Sequence, residues 1–260
     1  SKSYPIKYSK GNSMVWQIIR VLPFLFINGR GEYLWLRKFC EENKIDKVIS
    51  DNRFGLWNKK VHSVYMTHQV MIKMPMAFKI FEPISYWVHK TIMKQYTECW
   101  IPDVEENGGF SGDLSHKYSL PKNTKFIGVL SRFDIYKEME QDETYDNVII
   151  LSGVEPQRSI FEKRMTEEYK DKQEKTLMIV GKPDKEIHSE KIGQITKFTH
   201  LDDEQLVPYL KGCKTIVCRA GYSTVMDLET LGVEHKAIYF PTLGQTEQEY
   251  LAVYLNEKKK

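Results

Sequence analysis

The sequence contains no CxxC pair. Its four cysteines, Cys40, Cys99, Cys213 and Cys218, are scattered, and the step from Cys213 to Cys218 does not suit a zinc knuckle. A disulfide framework and a zinc module are therefore not indicated. Cys218 sits inside an apolar run and reads as a buried free thiol, which fits a reducing cytoplasm. No run of about 18 apolar residues occurs, so no segment reads as spanning a bilayer. There is no repeat of solenoid period and no low-complexity tract. The net charge of +3 is too small to indicate a nucleic-acid partner. Positive charge is instead local, in MIKMPMAFKIF, VHKTIMK and the terminal EKKK. No DxD pair is placed for a divalent ion; Asp202-Asp203 reads better as a helix cap. Neither a metal nor a cofactor is called for.

What is present is a globular composition, 41% hydrophobic and 28% charged, over 260 residues, enough for two ordinary domains. The chain opens on Ser1 with the polar stretch SKSYPIKYSKGNS and reads as a fragment. Residues 14–26 read as a helix kinked near Pro23; Gly29 and Gly31 break the pattern, and EYLWLRKFCEENKI resumes it. Residues 46–51 and 61–67 are strands, the second leading into Thr67-His68-Gln69. Residues 70–94 carry Met71, Ile72, Met74, Met76, Phe78, Ile80 and Phe81 with interspersed lysines. Two readings stay open there: an internal helix pair packed on a sheet, or a surface resting on anionic lipid. ECWIPD is a strand, residues 105–117 a glycine-rich mobile loop, and residues 125–133 (KFIGVLSRF) another strand. His89, His116 and His200 read as surface or loop residues.

From 134 to 147 the chain turns acidic and loses its apolar residues, marking a boundary between a partial domain, 1–134, and a second domain, 146–260. In the second, NVIILSG, TLMIVGK, IGQITKFTHL, KTIVCRAG and HKAIYFP read as strands. Helices begin near Pro156, Asp202, Ser223 and Gln245. Strands alternating with helices predict a mostly parallel, doubly wound α/β sheet.

The stretch VCRAGYSTVMDLETLG, 217–232, organises this half. It reads as strand, tight glycine turn and helix, with Gly232 at the helix C-cap. A helix start of this kind turns backbone N–H groups and positive charge toward whatever lies above the strand. Ser223 and Asp227, four apart, share one exposed helix face, where a carboxylate is suited to ribose hydroxyls. The stretch by itself is equally an ordinary strand-to-helix turn with Asp227 solvated. Two further loops leave carboxyl ends of strands with polar groups: Ser152-Gly153 with Gln157-Arg158, and residues 242–248. Three such loops on one sheet edge can hold a diphosphate, a ribose and a sugar.

With CRAGYSTVMDLETLG followed by YFPTLGQTEQEYLA, residues 126–252 resemble the donor domain of GT-B glycosyltransferases. They are most similar to the MurG-type UDP-N-acetylglucosaminyltransferase family of peptidoglycan synthesis, which is membrane-associated. The resemblance implies two Rossmann-like doubly wound domains, the first incomplete and on the acceptor side, the second holding the nucleotide-sugar. It implies a UDP-sugar donor, a polyprenyl-linked or other glycan acceptor, and a cytoplasmic position peripheral to the inner face of the cell membrane. Asp227 stands where the family has a glutamate that binds the ribose. Gln248 matches a glutamine that contacts the donor sugar, with Glu249 beside it. Arg132, in GVLSR, matches an arginine near the domain junction that helps hold the donor. The backbone at Phe198 and Thr199 corresponds to the segment that reads the uracil. Ser152, Gly153, Gly221, Ser223 and Thr224 fall in the diphosphate loops, and His68 matches a histidine after a strand of the first domain. The family's first glycine-rich loop, with its own histidine, would precede Ser1.

In such enzymes an acceptor hydroxyl attacks the anomeric carbon in line and inverts it. The leaving UDP is neutralised by Gly221, Ser223 and Thr224 with Arg132 or Arg158. The proton needs a base, for which His68 is the visible candidate; it is equally read as a hydrogen-bonded histidine capping a strand. Arg219 is expected to pack inward. A UDP-sugar hydrolase, a UDP-sugar 2-epimerase and a nucleotide-binding or lipid-surface module without turnover remain alternatives on the same fold.

Overall fold

The β-branched runs of the second half of the sequence form the centre of a largely parallel sheet. The computed structural model describes residues 13–182 and 186–259, and the side chains of residues 28–76, 78–182 and 186–259. The polar opening, residues 1–12, lies outside them. The chain divides into two compact units, Ser1–Gly128 and Val129–Lys260.

In the first unit, helix α1 (Ser13–Glu42) leads to strands β1 (Lys47–Asp51) and β2 (His62–Met66). A 3-10 turn (Met76–Phe81) and helix α2 (Glu82–Met93) then precede β3 (Glu98–Ile101), short helix α3 (Asp113–His116) and β4 (Thr124–Phe126). The four strands lie in chain order, all parallel. Three expectations change here. Helix α1 continues through Gly29 and Gly31 without a break. The strand expected over 125–133 ends at Phe126, because Gly128 adopts a φ of +75° and Ser131 caps a 3-10 helix over Arg132–Tyr136.

The third change concerns the glycine-rich loop, which is built around a carboxylate rather than left mobile. Asp103 is fully buried and accepts the N–H groups of Val104 (2.8 Å), Phe110 (2.8 Å) and Ser111 (3.0 Å), and the Ser111 hydroxyl at 2.6 Å. His116 Nε2 lies 3.1 Å from its Oδ2. Gly109, at φ +51°, passes so close that an added Cβ would collide with this carboxylate. His89 is likewise no surface residue. It is buried on α2 between the Tyr65 hydroxyl (2.8 Å) and the Val70 carbonyl (3.0 Å), and burial lowers its pKa to about 4.

In the second unit, β5 (Asn147–Ile150), α4 (Gln157–Tyr169), β6 (Thr176–Ile179), β7 (Ser189–Ile192) and β8 (Ile195–Phe198) are followed by α5 (Asp203–Gly212), β9 (Thr215–Arg219), α6 (Tyr222–Thr230), β10 (Ala237–Phe240) and α7 (Thr246–Lys258). The sheet order is β10-β9-β5-β6-β8-β7, parallel except for the antiparallel β7. Strand β6 is buried along its whole length and β5 and β9 nearly so, as a sheet covered on both faces requires. Phe161, Met165 and Tyr169, spaced by four on α4, pack with Ile149, Met178, Ile195 and Val217 in one apolar cluster. The acidic segment 134–147 belongs to this unit, not to a free linker. Its 3-10 helix packs against α5 and α6, and Asp142 donates its N–H to the Pro208 carbonyl at 2.9 Å.

Candidate functional site

Taken in chain order, the five parallel strands of the second unit stand 3-2-1-4-5 across the sheet, so the order reverses between β5 and β9. At such a reversal the loops on either side turn away from each other and leave a crevice at the carboxyl ends. Ser152 and Gly153 leave β5 there, and Ala220 and Gly221 leave β9. Gly153 adopts φ +100°, a conformation that favours glycine. Gly221 does not: its φ is −78°, and an added Cβ meets only Thr224 Oγ1 at 3.9 Å. The turn can therefore take a side chain, and the space above Gly221 is open.

Helix α6 starts on Gly221, which caps nothing with a side chain. Its positive end is turned to the carboxyl edge, with Ser223 exposed and Thr224 half-buried. The far end closes as a Schellman motif. Gly232, φ +67°, donates to Glu229 and Val233 donates to Leu228.

Asp227 does not share the exposed face of Ser223. It is half-buried: the Ser131 hydroxyl lies 2.5 Å from its Oδ1 and the Arg132 Nε 3.6 Å from its Oδ2. Arg132 also reaches Asp203 Oδ1 at 3.3 Å. Burial raises the Asp227 pKa; the Ser131 hydrogen bond and the Arg132 charge oppose that rise, and Asp203 adds to it. Arg132 thus faces the carboxylates of both Asp203 and Asp227. Ser131, which the sequence reading passed over, is the closest partner of Asp227.

The other arginines of this edge are engaged with the protein. Arg158 binds Glu155 at 2.6 and 3.1 Å and donates to the Gly181 carbonyl. Arg219 is buried against the Phe161 ring, 4.0 Å from its centroid, and donates to the carbonyls of Pro241 and Gln157 (3.2 Å). It packs inward as expected, and ties the loop after β10 to the start of α4.

Gln248 and Glu249 turn back onto that loop. Gln248 Oε1 accepts the Thr242 N–H at 3.2 Å and Glu249 Oε1 accepts the Gly244 N–H at 2.9 Å. At the end of β8, the Phe198 carbonyl accepts the Val180 N–H at 2.8 Å. Thr199 donates to His188 (3.0 Å) and accepts from Lys182 (2.9 Å). The antiparallel β7, unforeseen from the sequence, brings His188 there. Asp202 caps α5, with Gln205 Oε1 accepting its N–H at 3.1 Å. In the first unit, His68 follows β2 at its carboxyl edge, half-buried, and its carbonyl accepts the Ser115 hydroxyl at 2.7 Å. Among the described residues no group of three His, Cys, Asp or Glu side chains is arranged to hold a metal ion, and no helix is long and apolar enough to cross a membrane.

No family model matches the chain, and no curated protein matches it. Solved structures do. The crystal structure of the glycotransferase of kitacinnamycin aligns with a TM-score of 0.53 at 11% identity, over 91% of this chain and 73% of that one. Staphylococcus aureus MnaA bound to UDP (TM-score 0.44, 11% identity, 89% and 71%) is more distant. So is a UDP-N-acetylglucosamine 2-epimerase, described as putative, from Listeria monocytogenes (0.45, 10%, 90% and 72%). The first likeness agrees with the strand order and the parallel sheets: the chain has the α/β, Rossmann-like fold of GT-B structures.

Proposed function

We propose that the second unit binds a UDP-sugar, and that the chain is a glycosyltransferase of the MurG type moving an N-acetylhexosamine onto an acceptor hydroxyl with inversion. The observation that carries this is the pairing of a strand-order reversal with an uncapped helix start and a carboxylate one turn further on. A diphosphate suits the start of α6 beside Ser223, Thr224 and the open face of Gly221, with Ser152 and Gly153 opposite. Asp227 takes the ribose hydroxyls, Gln248 and Glu249 the sugar, and the Phe198-Thr199 backbone the uracil. The fold shared with a solved glycosyltransferase supports the reading. Charge developing on the departing UDP is met by the dipole of α6 and by Arg132. His68 is assigned as the base that takes the acceptor proton. Titration of the protein with UDP and UDP-N-acetylglucosamine in a calorimeter tests this: micromolar binding is expected, and no heat with either ligand overturns it.

The same proposal includes peripheral contact with a membrane. Helix α2 does pack on the first sheet, through His89 and Met93. Its outer side continues the 3-10 turn before it and exposes Met76 (93%), Ile80 (79%), Ile84 (58%) and Trp87 (67%). Ile84 and Trp87, three apart, share one face of α2, and Met76, Lys79 and Ile80 are exposed on the 3-10 turn that leads into it. An acceptor on a polyprenyl carrier would be met at such a surface. In flotation with vesicles containing anionic lipid, the protein is expected to rise with the vesicles, and Trp87→Glu to weaken that binding about tenfold. Flotation of neither protein would remove the membrane from the reading, and equal flotation of both would remove this surface from it.

A further inference from the structure

The Asp227 carboxylate is not oriented by its own helix. Its partners come from the segment that opens the second unit, where Ser131 precedes the 3-10 helix Arg132–Tyr136. A serine hydroxyl has one proton and two lone pairs. Ser131 Oγ accepts the Phe133 N–H at 2.9 Å, so its proton is directed to Asp227 Oδ1, 2.5 Å away, as in a charge-assisted hydrogen bond. Phe133 is buried, which fixes the backbone that delivers the hydroxyl. The charged groups facing Asp227 are Arg132 from the 3-10 helix and Asp203 from the first turn of α5. Arg132 is largely exposed, and at 3.6 Å it interacts weakly. The neutral serine is therefore the strongest single contact of the carboxylate.

We propose that Ser131 is a positioning residue for a nucleotide's ribose: it clamps one oxygen of Asp227, holds the group ionised, and leaves the other oxygen to accept sugar hydroxyls. This rests on the assignment of Asp227 to the ribose. Half-burial favours a neutral acid, and a neutral acid has one acceptor fewer for a diol. Removing the serine hydroxyl removes the larger of the two interactions that oppose protonation, leaving Arg132, and frees the carboxylate to rotate. Nothing in the motif around Asp227 announces this, because the serine lies far back along the chain.

The test uses Ser131→Ala and Ser131→Thr in the full chain. The Asp227 carboxyl is followed by carbon-13 NMR against pH, and affinity for UDP-N-acetylglucosamine by calorimetry between about pH 5 and 8, where its diphosphate diester does not titrate. Ser131→Ala is expected to raise the carboxyl midpoint and to weaken binding about tenfold at pH 7. The loss should deepen as pH falls, and Ser131→Thr should restore both. A structural role alone would not move the pH profile. Wild-type binding with an unchanged midpoint and unchanged affinity in Ser131→Ala overturns the proposal and leaves the nucleotide reading standing. If the wild type binds at no pH, the nucleotide reading fails and takes the ribose role of Ser131 with it.

Discussion

Asp103→Asn is expected to cost the first unit about 3–5 kcal/mol. The substitution is nearly isosteric, so the loss is one of polarity alone. Every group around this carboxylate is a donor or is placed as one: the N–H groups of Val104, Phe110 and Ser111, the Ser111 hydroxyl and His116 Nε2. An amide can satisfy one side of that ring and must point its own NH2 at the other. Asp103 is fully buried, so water does not rescue the orphaned donors. The readout is specific to the unit, because all five tryptophans, Trp16, Trp35, Trp57, Trp87 and Trp100, precede Gly128. Tryptophan fluorescence against denaturant should shift to a lower midpoint in the variant. Tyrosine signals of the second unit should melt as before. A midpoint within about 1 kcal/mol of wild type would show that the loop does not depend on this residue.

Asp227→Asn should act in two opposed directions. Burial lifts the pKa of Asp227 above its ordinary value, so the folded chain holds that proton more firmly than the unfolded chain. The contribution of the group to stability is then greatest below its unfolded pKa and falls as pH rises through the folded one. At pH 7 the ionised carboxylate is a net burden on folding. Asparagine removes the charge yet keeps an oxygen to accept from Ser131. The second unit of the variant is expected to melt slightly higher than wild type at pH 7, and the gain to vanish in acid. Affinity for a nucleotide-sugar should fall about 10- to 100-fold, the value of hydrogen bonds to a charged acceptor. Lower stability at pH 7, or undiminished affinity, would count against the assignment. A residue that weakens the fold and strengthens binding is the pattern expected of a functional site.

The elements of the second unit were legible because their signals are local. Short apolar β-branched runs such as NVII and TIVC, bounded by polar turns, read as strands buried on both faces. Gly232 ends its helix by a rule of backbone conformation. What escaped reading depends on distant partners. SEKI carries no apolar alternation, and it becomes a strand only because β8 offers it an edge. His89 is polar by type and buried by position, since Tyr65 and the Val70 carbonyl satisfy both ring nitrogens. Residues 105–117 look free until Asp103 is seen beneath them. At the candidate site the same division holds. The position of Asp227 on its helix was readable, but its burial and its bond to Ser131, 96 residues away, were not.

That antiparallel edge strand bears on how copies of the protein meet at high concentration. A parallel sheet that ended on β8 would offer a foreign strand a row of open hydrogen-bonding groups. Strand β7 takes that place instead, and with Ser189, Glu190 and Lys191 exposed it presents charge to any newcomer. Its reversed direction comes from a short hairpin at Gly193, φ +57°. The hairpin works as a selvedge, finishing the weave of the sheet so that it does not run on into the next molecule.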